Sequence, residues 1–340
     1  MKLTDKILCL AIILLMVFLL REYSKNRGNE AKDITILNVS YDPTRELFDE
    51  YNKLFIKYWY GKTGKNIKIL SSNGGSGKQA RSIIDGLRGD IATLAISYDI
   101  DAIAKKRIID QNWLKEFPNN SCPYNSIIVF LVRKGNPKNI KDWEDLIKKN
   151  VQVITPNPKI SGGARWNYLA AYGYALDYWQ DKEKARNYVK KLFLNTPVLE
   201  PSSRSATTTF AKRGLGDVLL TWENEAYLVL DKMGRDKFEI VTPSQSILTE
   251  PSVAIVDKVA DKKQTREIVE SYINFLYSDK GAEIIAKHYY RPANQKILAK
   301  YQYIFPNIKL KTVDDFGGWE KFHKEHFAAD GVFDRFYIEP

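Results

Sequence analysis

The chain has 340 residues, of which 27% are charged and 44% hydrophobic, and a formal net charge of +11. That length has room for two domains of ordinary size. The excess of Lys and Arg favours partners of negative sign, but the basic residues are scattered among Asp and Glu. No long basic run or arginine-rich helix appears, which argues against a nucleic-acid partner.

Lys2 and Lys6 precede an apolar run from Ile7 to Leu20. That run suits a signal-peptide core and falls short of the roughly 20 apolar residues a membrane span needs. Arg21-Glu22-Tyr23-Ser24 follows without an Ala-x-Ala cleavage site, and Cys9 lies too early for lipid modification after processing. Export is therefore expected, with cleavage or retention as an anchor left open, and residues 1–32 are set apart as that segment plus a polar linker. Removal would leave Cys122 as the one thiol, which excludes an internal disulfide in the mature chain.

From there strand and helix signals alternate. Asp33–Val39 reads as a half-buried strand, and Asp42-Pro43 as the N-cap and first turn of a helix bearing Leu47, Tyr51, Leu54 and Phe55. Ile67–Ser71 is the next strand, running into Gly74-Gly75-Ser76-Gly77-Lys78-Gln79 and a helix with Ala80, Ile83, Ile84 and Leu87. Strands over Ile91–Ile96 and Asn125–Arg133 follow. Val151–Thr155 then leads through a proline turn to Ser161-Gly162-Gly163, which opens a helix through Leu169 and Tyr172. Further helices run to Tyr188–Leu194. A short strand, Asp217–Thr221, ends at Trp222 before a helix with Ala226, Leu228 and Leu230. Ile247–Asp257 and the helices Thr265–Tyr277 and Gly281–His288 complete the pattern. Such alternation argues for an α/β fold. His323 and His326 stand three apart on a helix near the C-terminus; with no carboxylate or cysteine joining them, they read as a solvated helical face.

Three of these junctions share one chemistry. The first amides of a helix have no internal partner and carry the positive end of the macrodipole, so helix N-termini at Asp42, Ser76 and Ser161 can converge on one anion. The segment around Lys78 is not a nucleotide-binding P-loop: Ser72 stands where that motif opens with Gly, and Gln79 where it needs a Ser or Thr for magnesium. Trp222, read alone, fits either a core aromatic or a ligand donor.

The chain resembles the bacterial periplasmic sulfate-binding proteins of ABC importers. The resemblance is carried by Asn157-Pro158-Lys159 to Arg165, with Ile160 in place of the usual Ser or Thr, and by Gly74 to Gln79. Asn38 to Leu47, Asp217 to Glu225 and Phe238 to Ser244 extend it, so that it spans Asp33 to near the C-terminus. It implies a two-lobed type II periplasmic-binding-protein fold with a hinge and an interlobe ligand cleft. The first lobe would comprise residues 33–124 and 251–340, and the second 125–250. It implies, too, that sulfate is held by backbone amides at Asp42, Ser76, the Ser161-Gly162-Gly163 step and Ser203, by the Ser161 hydroxyl and by the Trp222 indole. At Ser203 the run Pro201-Ser202-Ser203 departs from the commoner Ser-Gly-Ala, while Arg204 and Ala206 to Phe210 keep the register.

These residue types suit a dianion that carries no proton at neutral pH, because amides, a hydroxyl and an indole are all donors. A protonated phosphate would leave groups mispaired, at about 1–3 kcal/mol each. Asp42 is expected to cap its helix with its carboxylate while its amide faces the ligand, neutralised by Arg45 or Arg204. Lys78 and Arg165 are expected beside the site rather than on the ligand. The function implied is an extracytoplasmic sulfate receptor in the periplasm. It would act as a monomer, deliver sulfate to a membrane permease and use no cofactor or metal. Thiosulfate is the alternative ligand, and a membrane-tethered oxyanion sensor the alternative role. An anion-activating enzyme would need a nucleophile beside a base, or a metal set, near the glycine loops, and no histidine lies near them in sequence.

Overall fold

The computed structural model describes residues 34–336, with Met16 alone before them; the apolar N-terminal run and its linker lie outside the described residues. Among the described residues no helix is long and apolar enough to cross a membrane.

The first half opens with β1 (Ile34–Tyr41), a 3-10 turn at Asp42–Thr44 and α1 (Arg45–Thr63). Leu47, Phe48, Tyr51, Phe55 and Trp59 recur at helical spacing on α1 and are buried, and Gly64 ends the helix in the left-handed region at φ 68°. β2 (Ile67–Gly74), α2 (Ser76–Ile84), β3 (Ile91–Leu94) and α3 (Ser97–Ala104) follow. β1 runs parallel to β2 in step from Ile34↔Ile67 to Tyr41↔Gly74, so the two strands end at the same level. The helices that follow them therefore begin side by side.

β4 (Tyr124–Arg133) then becomes the central strand of a second sheet. Its companions are β5 (Val153–Pro156), β6 (Leu199–Glu200), β7 (Val218–Trp222), β8 (Phe238–Val241) and β9 (Gln245–Thr249). Between them lie α4 (Gly162–Trp179), α5 (Lys182–Leu194), α6 (Ser203–Ala211) and α7 (Glu223–Met233). β10 (Ser252–Ile255) returns to the first sheet, antiparallel to β3, giving the order β10-β3-β1-β2. It is followed by α8 (Asp257–Lys263), α9 (Arg266–Leu276), α10 (Asp279–Lys287), β11 (Arg291–Pro292) and α11 (Gln295–Tyr301). β11 pairs with the start of β4, close to where the chain passes between the sheets.

The C-terminal stretch spans both halves. β12 (Lys309–Lys311), within the residues assigned to the first lobe, pairs instead with β9 of the second sheet. α12 (Gly318–His326) and α13 (Val332–Arg335) follow it. Trp319 meets Trp166 edge-on at 4.7 Å, and Phe333 meets Phe193 at 5.0 Å. The physical reason lies in α4, whose residues from Gly162 to Ala175 are all buried. A helix buried all round must be covered on every side, and the aromatic tail supplies part of that cover.

Packing also corrects the expectation of a solvated histidine face. His326 is 1% exposed, and its Nδ1 lies 2.8 Å from the Tyr168 hydroxyl. His323 stacks on Tyr98 at 4.2 Å. Among the described residues, no group of three or more His, Cys, Asp or Glu is placed to hold a metal ion. Burial, together with Arg165, Lys159 and Lys105, holds His323 down at about 4. Burial depresses His326 as well, against the pull of Glu325. A histidine depressed in the fold contributes stability above its unfolded pKa of about 6.5, and that contribution is lost as pH falls through the folded value. Wild type should therefore lose on the order of 2 kcal/mol between about pH 6.5 and 4 relative to His326→Gln, which keeps a partner for Tyr168 and does not titrate. Urea melts of the two proteins across that range measure the difference, which cancels carboxylates titrating in the same window. Parallel pH profiles would mean that His326 charges freely inside the fold. Cys122 is a buried free thiol whose Sγ lies 3.2 Å from the Tyr124 carbonyl.

Candidate functional site

The site is assembled at the carboxyl ends of parallel strands from both sheets, where ligand crevices of open α/β sheets form. From the first sheet come the ends of β1 and β2. The Gln79 side-chain amide ties them together, donating to the Ser40 carbonyl at 3.0 Å and the Ser72 carbonyl at 2.6 Å. The residue that breaks the nucleotide-binding motif thus clamps two strand ends. From the second sheet come β5, β6 and β7. Pro156 pairs with Glu200 and Ile154 with Leu219, so the loops after β5 and β6 and the end of β7 lie together.

Ser161 caps α4: its Oγ accepts from the Ala164 amide at 3.3 Å, which leaves its O–H free to donate. Its own amide is taken by the Asn157 carbonyl at 2.9 Å, so of the predicted Ser161-Gly162-Gly163 amides only the two glycines remain. Gly162 and Gly163 are placed where a side chain would collide. A Cβ on Gly162 would stand 3.0 Å from both Ala95 Cβ and Ser76 Cβ, across from the other half. A Cβ on Gly163 would stand 2.4 Å from Ser203 Oγ, 3.4 Å from Trp222 Nε1 and 3.7 Å from Ser161 Oγ. Three polar side-chain atoms from three different elements thus surround one point above Gly163.

Trp222 closes β7 and N-caps α7. It is 1% exposed, its ring packs on Tyr41 at 5.5 Å, and its Nε1 has no hydrogen-bond partner among the described residues. A buried donor left without a partner costs about 1–3 kcal/mol; this one faces the same point as Ser161 Oγ and Ser203 Oγ. Tyr41, Asp42, Ser76, Ser161, Gly163 and Ser203 all line one small cavity. As first-turn residues, Asp42, Ser76, Gly162, Gly163 and Ser203 carry amides without partners inside their own helices. Outside lies a wider cleft, bordered by Lys78, Arg81, Tyr98, Lys159, Arg165 and His323.

Asp42 corrects one expectation. Tyr41 is the N-cap and Asp42 the first residue of the 3-10 turn, with no side-chain capping bond. The proline that follows fixes a tight first turn, which moves the cap back by one residue. The Asp42 carboxylate lies 3.6 Å from Arg45. Arg204 is occupied elsewhere, reaching Glu46 at 2.8 Å and Glu225 at 3.0 Å. Burial pushes Glu225 up to about 7 despite Arg204. Burial opposes ionisation at Glu46 too, but hydrogen bonds from Arg204 and Lys232 outweigh it and hold that group at about 2.

The cationic neighbours of the glycine loops have partners of their own. Arg165 forms a buried ion pair with Asp99 at 3.3 Å and donates to the Pro158 carbonyl at 2.9 Å. Lys159 reaches Asp334 at 2.7 Å, and Lys78 is exposed. Sequence reasoning missed Asp99. It lies in the first turn of α3, a fourth strand-to-helix junction that carries no glycine to draw notice. Asp99 accepts from the Ser76 hydroxyl at 2.5 Å, and Ser76 Oγ in turn accepts from the Ala95 amide at 3.0 Å. The Ser76 hydroxyl is therefore consumed, and only its amide can face a ligand. Trp166 adds a further link between the halves, donating to the Ala95 carbonyl at 2.7 Å.

The sequence matches the family described as bacterial extracellular solute-binding protein over residues 37–291. It is 58% identical to the sulfate-binding protein of Escherichia coli over 307 residues, 90% of this chain and 93% of that protein. It is 49% identical to the thiosulfate-binding protein of Pseudomonas aeruginosa over 304 residues, 89% of this chain and 92% of that protein. Among solved structures, the sulfate-binding protein of Mycobacterium tuberculosis matches with a TM-score of 0.77 at 30% identity, covering 86% of this chain and 99% of that one. The two-sheet α/β architecture is that of the periplasmic binding proteins. Kinship over this much of the chain, at this identity, is decisive: the chain belongs to the bacterial extracellular solute-binding proteins.

Proposed function

We propose that this protein captures sulfate in the periplasm and hands it to the membrane permease of an ABC importer. The observation that carries the reading is the Trp222 indole N–H, buried without a partner beside the point that Ser161 Oγ and Ser203 Oγ also face. The donor set is the amides of Asp42, Ser76, Gly162, Gly163 and Ser203, the Ser161 hydroxyl and the Trp222 indole. Amides and an indole offer no acceptor for the proton of a protonated oxyanion, whereas every oxygen of a fully ionised dianion can accept from them. No cation need touch the ligand, since Arg165, Arg204 and Lys159 are matched to carboxylates. Nothing in this set acts as a nucleophile beside a base, so the reading is a binding protein, not an enzyme.

The two sheets are, on this reading, the cores of two lobes. Residues 33–124 with the return from 251 form one and 125–250 the other, and the tail after β12 spans both. A ligand that touches both lobes selects the closed form. The relatives' names support sulfate first. Thiosulfate is the second reading, favoured by the 49% identity to a thiosulfate-binding protein. The protein would act as a monomer, and its N-terminal segment directs it across the inner membrane.

Calorimetric titration with sulfate, thiosulfate, molybdate and phosphate tests the proposal. Sulfate should bind one to one and phosphate should produce no heat of binding. Silence from all four anions would remove the receptor reading, and tighter binding of thiosulfate than of sulfate would reverse the choice between the two ligands.

A further inference from the structure

We propose that the Ser203 hydroxyl is a direct donor to the bound oxyanion and sets its preference for oxygen over sulfur; this deepens the oxyanion reading above and rests on it. Ser203 opens α6, but the capping is done by Ser202, whose Oγ accepts from the Ser205 amide at 3.3 Å. The Ser203 carbonyl accepts from the Thr207 hydroxyl at 3.1 Å, whereas its own hydroxyl donates to no group among the described residues. The residue is only 9% exposed and it lines the small cavity, so its hydroxyl is left for what fills that cavity.

Its position does. Ser203 Oγ would lie 2.4 Å from a Cβ placed on Gly163, nearer than Trp222 Nε1 and Ser161 Oγ at 3.4 and 3.7 Å. Ser203 also lines the small cavity with Ser161 and Gly163. The hydroxyls of Ser76, Ser161 and Ser203 are not equivalent. Ser76 is spent on Asp99 and Ala95, Ser161 spends a lone pair on its cap, and Ser203 is uncommitted. Alanine at this position would supply the same first-turn amide and no hydroxyl. Serine therefore adds a donor to the pocket and narrows it by one atom. A hydroxyl donates well to an anionic oxygen and less well to a larger, softer sulfur, so four equal oxygens are favoured over a set that includes sulfur.

Ser203→Ala is the test, read by calorimetry with sulfate and with thiosulfate and by the melting temperature of the ligand-free protein. Alanine is a good helix residue, so the ligand-free melting temperature should not fall. The sulfate Kd should rise about tenfold, with a smaller rise for thiosulfate. A change in sulfate Kd of less than twofold would overturn the donor role, and equal losses for both anions would overturn the selectivity role. If wild type binds neither anion, the receptor reading itself falls and takes this inference with it.

Discussion

Replacing Gly163 with alanine should cost about a thousandfold in sulfate affinity while leaving the fold intact. The added methyl would stand 2.4 Å from Ser203 Oγ and 3.4 Å from Trp222 Nε1, inside the ring of donors. Ser203 can turn aside; the indole is fixed by its packing on Tyr41. An anion displaced from that ring loses two or more charge-assisted hydrogen bonds, each worth about 1.5–3 kcal/mol, which converts to roughly a thousandfold. The backbone gives no reason for glycine here, because Gly163 is helical and its φ is not positive. Alanine in a helix is favoured over glycine by up to about 1 kcal/mol, so the ligand-free melting temperature should hold or rise. Calorimetry and thermal melts of the same preparation separate the two effects. Binding within threefold of wild type would mean that the anion sits elsewhere.

The glycine steps were legible because their chemistry is local. A strand and a helix N-terminus can be read within ten residues, joined by glycines at Ser76 and Ser161 and by a proline at Asp42. Their convergence was not local. It comes from the in-step register of β1 and β2, from the pairing of β5 with β6 and β7, and from the meeting of the two halves, where Tyr41 packs on Trp222. Trp222 shows the limit most clearly: alone it reads as a core aromatic, and it is packed like one, but its indole N–H is left without a partner. The histidines went astray for the converse reason. Helical spacing gives the face a residue occupies, and the aromatic surface of α4 decides whether that face sees water. The tail after β12 likewise spans both halves, because α4 is buried from Gly162 to Ala175 and part of its cover comes from there.

Asp99 belongs to the same class of non-local residue, and it yields the second large expected effect. It sits on α3, which follows β3 of the first sheet, and Arg165 on α4, which follows β5 of the second, so their ion pair spans the two halves. Both side chains are almost fully buried, at 7% exposure for Arg165 and 6% for Asp99. Burial raises the Asp99 pKa, against which Arg165 and the Ser76 hydroxyl favour the charged form. Removing one member of a buried pair costs about 3–5 kcal/mol, because the other charge is left without its partner. Where that cost falls depends on the hinge. With the lobes apart Arg165 returns to water, so Asp99→Ala penalises closure more than folding. Sulfate affinity should then drop by a hundredfold or more, while the ligand-free protein melts within a few degrees of wild type. Asp99→Asn, which still accepts from Ser76, should recover only part of the loss, since it restores the hydrogen bond and not the charge. A ligand-free melting temperature that collapses along with the affinity would place the pair in the folding of a single rigid body, and the two-lobe closure would lose its support.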